Sequence, residues 1–194
     1  MKRLFDLTAS LIGLIVLFPI FIVVSVLVKI SSEGPVFFMQ QRIGRRGKAF
    51  KMIKFRSMKV IQSSDSTISI KGDLRITRVG SFLRKYKIDE LPELFNVLRG
   101  DMSIVGPRPD VCGYADKLEG ENALILELRP GITSPASLKY VNEEDILALQ
   151  EDPVKYNDDV IYPDKVKLNL DYYYNNNFWI DIKIIFATIF RTGY

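Results

Sequence analysis

One stretch constrains this chain more than any other. Between residues 7 and 28 there is no charged side chain, and residues 11–28, LIGLIVLFPIFIVVSVLV, are almost wholly apolar. At about 1.5 Å of rise per residue, a helix of this length approaches a bilayer core of roughly 30 Å. A cleaved signal peptide is disfavoured, because no A-x-A-like site follows and SSEGPVFF runs straight into the rest of the chain. Two membrane arrangements stay open. The simpler is a spanning anchor. The other is a re-entrant hairpin bent at Pro19, in the middle of the run, where proline removes one backbone hydrogen bond and crowds the preceding turn. A break there leaves two arms, each long enough for about one leaflet. Lys2 and Arg3 precede the run, and Lys29, Arg42, Arg45, Arg46 and Lys48 follow it. Both flanks are basic, so the positive-inside rule gives no clean orientation; both flanks cytosolic would satisfy it.

Charge narrows the partners. The net charge of +4 conceals a balance of +9 over residues 1–60 and −5 over the remainder. A basic N-terminal third calls for an anionic partner: nucleic acid, lipid headgroups or a phosphorylated substrate. The chain has no histidine, which excludes Ser-His-Asp and Cys-His catalysis and His-ligated zinc within it. Chemistry falls to Asp, Glu, Lys, Tyr, Ser or Thr. Cys112 is the single cysteine; no internal disulfide can form, and a buried structural thiol in a reducing compartment is expected.

Beyond the apolar run, residues 36–39 and 50–55 are β-prone and flank a Gly44–Gly47 turn, which predicts a hairpin. Residues 62–73 are polar and predict a loop. Residues 75–86 predict a basic amphipathic helix with Ile76, Val79, Phe82 and Leu83 on one face. Ile88, Leu91, Leu94, Phe95 and Leu98 recur at helical spacing, with Asp89 suited to the N-cap, Pro92 to the first turn and Gly100 to the C-cap. Helices are expected at 143–150 and 165–174, joined by an acidic connection, and at 178–190 after a break at 175–177. The last, with Trp179, Lys183 and Arg191, suits a membrane interface or the core.

The pair Asp89–Glu90 has two readings. As a cap, Asp89 satisfies helix amides and Glu90 is a first-turn acid favoured by the helix dipole. Capping does not account for the cations around the pair: Arg75, Arg78, Arg84, Lys85 and Lys87 before it, Arg99 and Arg108 after it. Arg108 stands between Pro107 and Pro109, a stiff mount for a guanidinium that clamps phosphate at two points. Phosphoryl transfer needs a nucleophile, a divalent metal and fixed cations, all within reach of a chain without histidine.

At these residues the sequence resembles the monotopic phosphoglycosyl transferases, bacterial sugar transferases that begin glycoconjugate assembly. The matching segments are KRLFD, GPVFFMQQRIGRRGKAFKMIKFRSM, DLRITRVGSFLRKYKIDELPELFNVLRGDMSIVGPRP, RPGIT and LDYYYNNNFWIDIKIIFATI, in the family's order. The resemblance implies an α+β fold: a re-entrant membrane helix over residues 1–32 kinked at Pro19, then a small, mostly helical catalytic domain over 33–194 with a short β-hairpin and interfacial amphipathic helices. It implies transfer of a phosphosugar from a nucleoside diphosphate sugar, usually a UDP-sugar, to polyprenol phosphate with release of UMP. Asp89 is then the nucleophile of a covalent phosphosugar-enzyme and Glu90, with Asp89, holds Mg²⁺. Lys54, Arg84 and Arg108 lie near the phosphate, with Arg56, Arg78 and Asp101 in supporting roles. The expected partners are the donor, the polyprenol phosphate and membrane lipid, without nucleic acid, at the cytosolic face of the bacterial inner membrane.

Two departures stand out. Where the family commonly has Gln, this chain has Glu93. After RPGIT the family commonly continues Gly-x-Ala-Gln-Val-x-Gly-Arg; here SPASLKYVNEED follows. The rival readings are a membrane-anchored basic protein without enzymatic activity, binding anionic lipid or nucleic acid, and a metal-dependent phosphatase using the same carboxylates.

Overall fold

The structure, a computed structural model, describes residues 1–59 and 75–192, so the expected loop at 62–73 lies outside the described residues. It is α+β and mostly helical. Helix α1 (Lys2–Ser31) continues through Pro19 as one element, without the break expected there. The missing proline N–H leaves the carbonyl of Ile15 without its usual donor, a local cost that the rest of the helix carries.

One stripe of α1, made of Asp6, Ser10, Phe21, Val24 and Val28, is buried against the remainder of the chain, while Leu11, Ile15, Val16, Phe18 and Val23 on the other side are exposed. The stripe follows the helical period from end to end, so the helix lies along the domain. Near its start, Arg3 donates to the carbonyls of Val97 (2.7 Å) and Leu98 (3.2 Å), Lys2 pairs with Asp181, and Asp6 accepts from Ser103 Oγ and from the amide of Ile104. At its end, buried Arg56 donates to the carbonyls of Val28 (3.3 Å) and Ser32 (2.7 Å). A cation placed there satisfies orphan carbonyls and suits the negative end of the helix dipole.

Strands β1 (Phe37–Ile43) and β2 (Ala49–Phe55) form the expected antiparallel hairpin, closed by the turn Arg45–Gly47. Helix α2 (Arg78–Lys85) begins three residues later than the sequence pattern predicts. Thr77 Oγ1 accepts from the amide of Gly80 and fixes the start, while Ile76 bridges to Met58 instead. A Cβ on Gly80 would lie 1.8 Å from the carbonyl oxygen of Ser57, so only glycine permits this approach. Phe82, expected on the inner face, is exposed; Gly80 and Leu83 face inward.

The turn Ile88–Glu90 leads through Pro92 into α3 (Glu93–Arg99), which ends at Gly100 in the left-handed conformation, as its sequence predicts. Strands β3 (Ser103–Val105) and β4 (Gly131–Thr133) form a parallel pair that the sequence does not announce. Three-residue strands are too short to show a period. Helices α4 (Pro135–Lys139), α5 (Glu143–Ala148), α6 (Pro153–Tyr156), α7 (Tyr162–Asn175) and α8 (Phe178–Phe190) complete the described chain. The acidic connection expected between α5 and α7 is itself helical: α6 and a wide turn at Asn157–Ile161 run into α7. Cys112, expected to be buried, is exposed. Its neighbours Gly113 (φ +101°) and Tyr114 belong to a surface turn, where a short apolar residue has no core to enter.

Candidate active site

The turn at Ile88–Glu90 carries the two acids, and Lys87 before it adopts φ 57°. A left-handed lysine reverses the chain after α2 and turns the following carboxylates inward. Both are buried, Asp89 at 6% and Glu90 at 9% exposure. The capping role expected of Asp89 is not realised. α3 starts four residues later, at Glu93, with Pro92 before it and no side-chain cap. The Oδ1 atom of Asp89 is buried and has no hydrogen-bond partner among the described residues.

Glu90, by contrast, is paired through both oxygens. Its Oε1 accepts from Lys54 Nζ at 2.8 Å and from Arg108 Nη2, and its Oε2 accepts from Arg108 Nη1 at 3.3 Å. Lys54 comes from the end of β2 and Arg108 from the Pro107–Pro109 segment that follows β3. Lys54 also lies 3.4 Å from Glu93, whose side chain is 1% exposed. Three distant parts of the chain therefore meet at one carboxylate.

Electrostatics separate the neighbouring acids. Burial, and next the charge of Glu90, raise the Asp89 carboxyl above its ordinary value against the opposing pull of Lys54, Arg84 and Lys87. Burial alone would also raise Glu90, but Arg108 and then Lys54 outweigh it and hold that carboxyl well below the usual range. Burial pushes Glu93 up to about 7 despite Lys54. Glu90 in turn raises Arg108, which stays a cation at any working pH. A pair of titratable groups driven apart in this way marks a division of roles.

The other expected residues fall into place unequally. Arg84 is one of the charges that Asp89 feels, and its Nη2 is paired with Glu144 of α5. Arg56 does not line the site; its described hydrogen bonds go to the end of α1. Arg78 is exposed at the first residue of α2, and no bond among those described joins it to Glu90 or Asp89. Asp101 acts at one remove. It accepts from Asn96 Nδ2 at 3.4 Å, and Asn96 fastens α3 to β2 through the amide of Ile53 (3.0 Å) and the carbonyl of Lys51 (2.8 Å).

Two residues escaped the sequence reading. Asn96 is fully buried in an otherwise apolar periodic pattern, which offers no signal. Arg42, noted in the sequence only as a basic flank, stands beside Arg108: burial, and next that like charge, lower its guanidinium to about 10. Its signal lay in the hairpin register. Arg42 opposes Phe50, and Lys54 opposes Phe38, so counting outward from the turn in steps of two puts both cations on one face.

Mg²⁺ can be tested against these side chains. No group of three or more metal-ligating side chains is gathered among the described residues. A closed protein cage is thus absent there, but Mg²⁺ usually takes only one or two carboxylates and completes its shell with water and substrate phosphate. The unpartnered Asp89 Oδ1 beside Glu90 fits that mode.

Two adjacent buried acids stand beside Lys54 and Arg108, in a chain whose first helix is long and apolar enough to cross a membrane. The chain belongs to the bacterial sugar transferase family, whose model matches residues 1–193. It is 40% identical over 196 residues to a UDP-glucose:undecaprenyl-phosphate glucose-1-phosphate transferase of Klebsiella pneumoniae, covering 98% of this chain and 39% of that protein. It is 37% identical over 196 residues to a UDP-N-acetylgalactosamine-undecaprenyl-phosphate N-acetylgalactosaminephosphotransferase of Aeromonas hydrophila, covering 97% and 42%. With the exopolysaccharide production protein PSS of Rhizobium leguminosarum bv. phaseoli it shares 38% identity over 199 residues, covering 97% and 93%. The chain thus spans about two fifths of the first two relatives and nearly all of the third.

Proposed function

We propose that this protein transfers a sugar phosphate from a UDP-sugar to undecaprenyl phosphate, through a covalent intermediate on Asp89. The supporting observation is the opposite displacement of two adjacent carboxyls. Glu90 is locked as an anion between Lys54 and Arg108, whereas Asp89 is desolvated and keeps an unpartnered oxygen. A desolvated carboxylate is the better nucleophile, because no hydrogen bond has to be broken before it attacks.

In the first step a carboxylate oxygen of Asp89 forms a bond to the phosphorus that carries the sugar. The bond from that phosphorus to the bridging oxygen breaks, and UMP leaves with the electron pair. In the second step a phosphate oxygen of the polyprenol attacks the same phosphorus and the acyl-phosphate bond breaks. Asp89 is restored and the lipid carries a sugar diphosphate. Arg108, Lys54 and Arg84 hold the phosphate oxygens and offset their charge. Mg²⁺, held by Glu90 and Asp89, would neutralise the donor's phosphates.

The placement at the membrane follows the same reading. The exposed face of α1 and the exposed Trp179, Phe186 and Phe190 of α8 suit an interfacial seat, with the site on the cytosolic side of the bacterial inner membrane. Both ends of the unbroken α1 are docked on one body, which favours both flanks on one side of the membrane over a spanning helix.

The test is UMP release by the purified, detergent-solubilised protein. A panel of UDP-sugars with Mg²⁺ is offered with and without undecaprenyl phosphate, to wild type and Asp89→Asn. Turnover that needs both lipid and Asp89 supports the proposal. Full UMP release without lipid points to a hydrolase, and activity surviving in Asp89→Asn refutes the covalent step.

A further inference from the structure

Three cations around Asp89, namely Lys54, Arg108 and Arg84, hold carboxylates of the protein itself, but not equally. Lys54 and Arg108 share Glu90, which is buried and strongly ionised. Arg84 is paired through Nη2 with Glu144, whose side chain is 45% exposed. Separating a buried pair strands a charge away from water, whereas a half-exposed pair is easily exchanged. Arg84 is therefore the cation in this cluster that can most readily change partner.

Glu144 is not needed to hold α5 in place. Leu147 of the same helix is 2% exposed, and Glu143 is fastened to Lys165 of α7 at 2.6 and 2.7 Å. That tether fixes the first turn of α5 to α7, and the described side-chain contact of this turn with α2 is the Arg84–Glu144 pair.

We propose that Glu144 is an internal counter-ion that occupies a phosphate seat on Arg84 and so sets how tightly the site takes a nucleoside diphosphate. This rests on the reading of the site given under Proposed function. A diphosphate displaces Glu144 because it offers charge-assisted, two-point bonds that a single flexible carboxylate cannot match. Glu144 acts through Arg84 and touches no reacting atom; it is a determinant of donor affinity.

The experiment measures UDP binding by calorimetry on the full chain in detergent, with Mg²⁺, for wild type, Glu144→Gln, Arg84→Gln and the double variant. Removing the competing charge at an exposed pair is expected to tighten UDP about threefold to tenfold. The gain should vanish in the double variant relative to Arg84→Gln, since the two residues act as one unit. A gain in affinity cannot come from a loss of folding. Unchanged or weaker binding in Glu144→Gln overturns the inference, as does a gain that persists without Arg84; both leave the reading of the site intact. Failure of wild type and Glu144→Gln alike to bind UDP overturns that reading, and this inference with it.

Discussion

Lys54 Nζ lies 2.8 Å from Glu90 Oε1, tying the end of β2 to the turn that carries Asp89. Both side chains are largely buried, and Arg108 closes the same carboxylate from the other side. Glu90→Gln would leave Arg108, whose side chain is 37% exposed, without its carboxylate and Lys54 with Glu93 alone. A destabilisation of about 1–3 kcal/mol is expected, read as a fall in melting temperature, together with loss of UMP release. A folded variant of wild-type stability would show that the pairing is not what holds this junction.

Asp89→Asn separates chemistry from capping. A capping aspartate would lose about 1 kcal/mol on replacement. Asp89 caps nothing, and its charge is desolvated. The variant is therefore expected to melt at or above the wild-type temperature while losing activity. A clear drop in stability would restore the capping role.

Asp110 gives a pH dependence. It follows Pro109, and burial is the main cause that raises its carboxyl to about 6, against Lys165, Arg42 and Arg108. A carboxyl raised on folding adds stability that is complete below its unfolded value, near 4, and is lost as pH rises through about 6. Asp110→Asn should therefore gain on wild type between pH 4 and pH 7. The gain is bounded by two pK units, about 3 kcal/mol, and is read from denaturant midpoints at each pH. A difference that does not change with pH would refute the shift.

Glu93→Gln removes a second buried acid that leans on Lys54 at 3.4 Å. Glutamine keeps the volume, removes a charge that burial disfavours, and leaves Lys54 to Glu90. Activity is expected to survive within about tenfold and stability at neutral pH to rise by about 1–2 kcal/mol. Loss of turnover in a stable variant would assign Glu93 a direct part in the chemistry.

The docking of both ends of α1 on one body predicts labelling from one side. With Cys112, which is exposed, first replaced by serine, single cysteines at Leu4 and Lys48 should react with a membrane-impermeant maleimide from the same side of inverted vesicles. Reaction from opposite sides would establish a spanning helix.

Much of this was legible in the residues. The hairpin, the 178–190 helix, the glycine stop after α3 and the apolar run at the N-terminus each follow from local pattern, because period, turn chemistry and capping act within a few residues. The acids and the Arg108 mount were also visible as types at a spacing. Local pattern left Asp89 between a cap and a site, since capping geometry and a buried turn carry the same letters; the reversal at Lys87 and the later start of α3 decide against the cap. The resemblance gave Arg56 a supporting role near the phosphate, whereas its described side-chain hydrogen bonds go to the end of α1. The parallel β3–β4 pair, the fastening by Asn96, and the meeting of Lys54, Glu90 and Arg108 join residues tens of positions apart. Sequence determined which side chains could do phosphate chemistry. Only tertiary packing decided that Glu90 is held as an anion by Lys54 and Arg108 and that Asp89 keeps an unpartnered oxygen, because burial and neighbouring charge are properties of the folded chain.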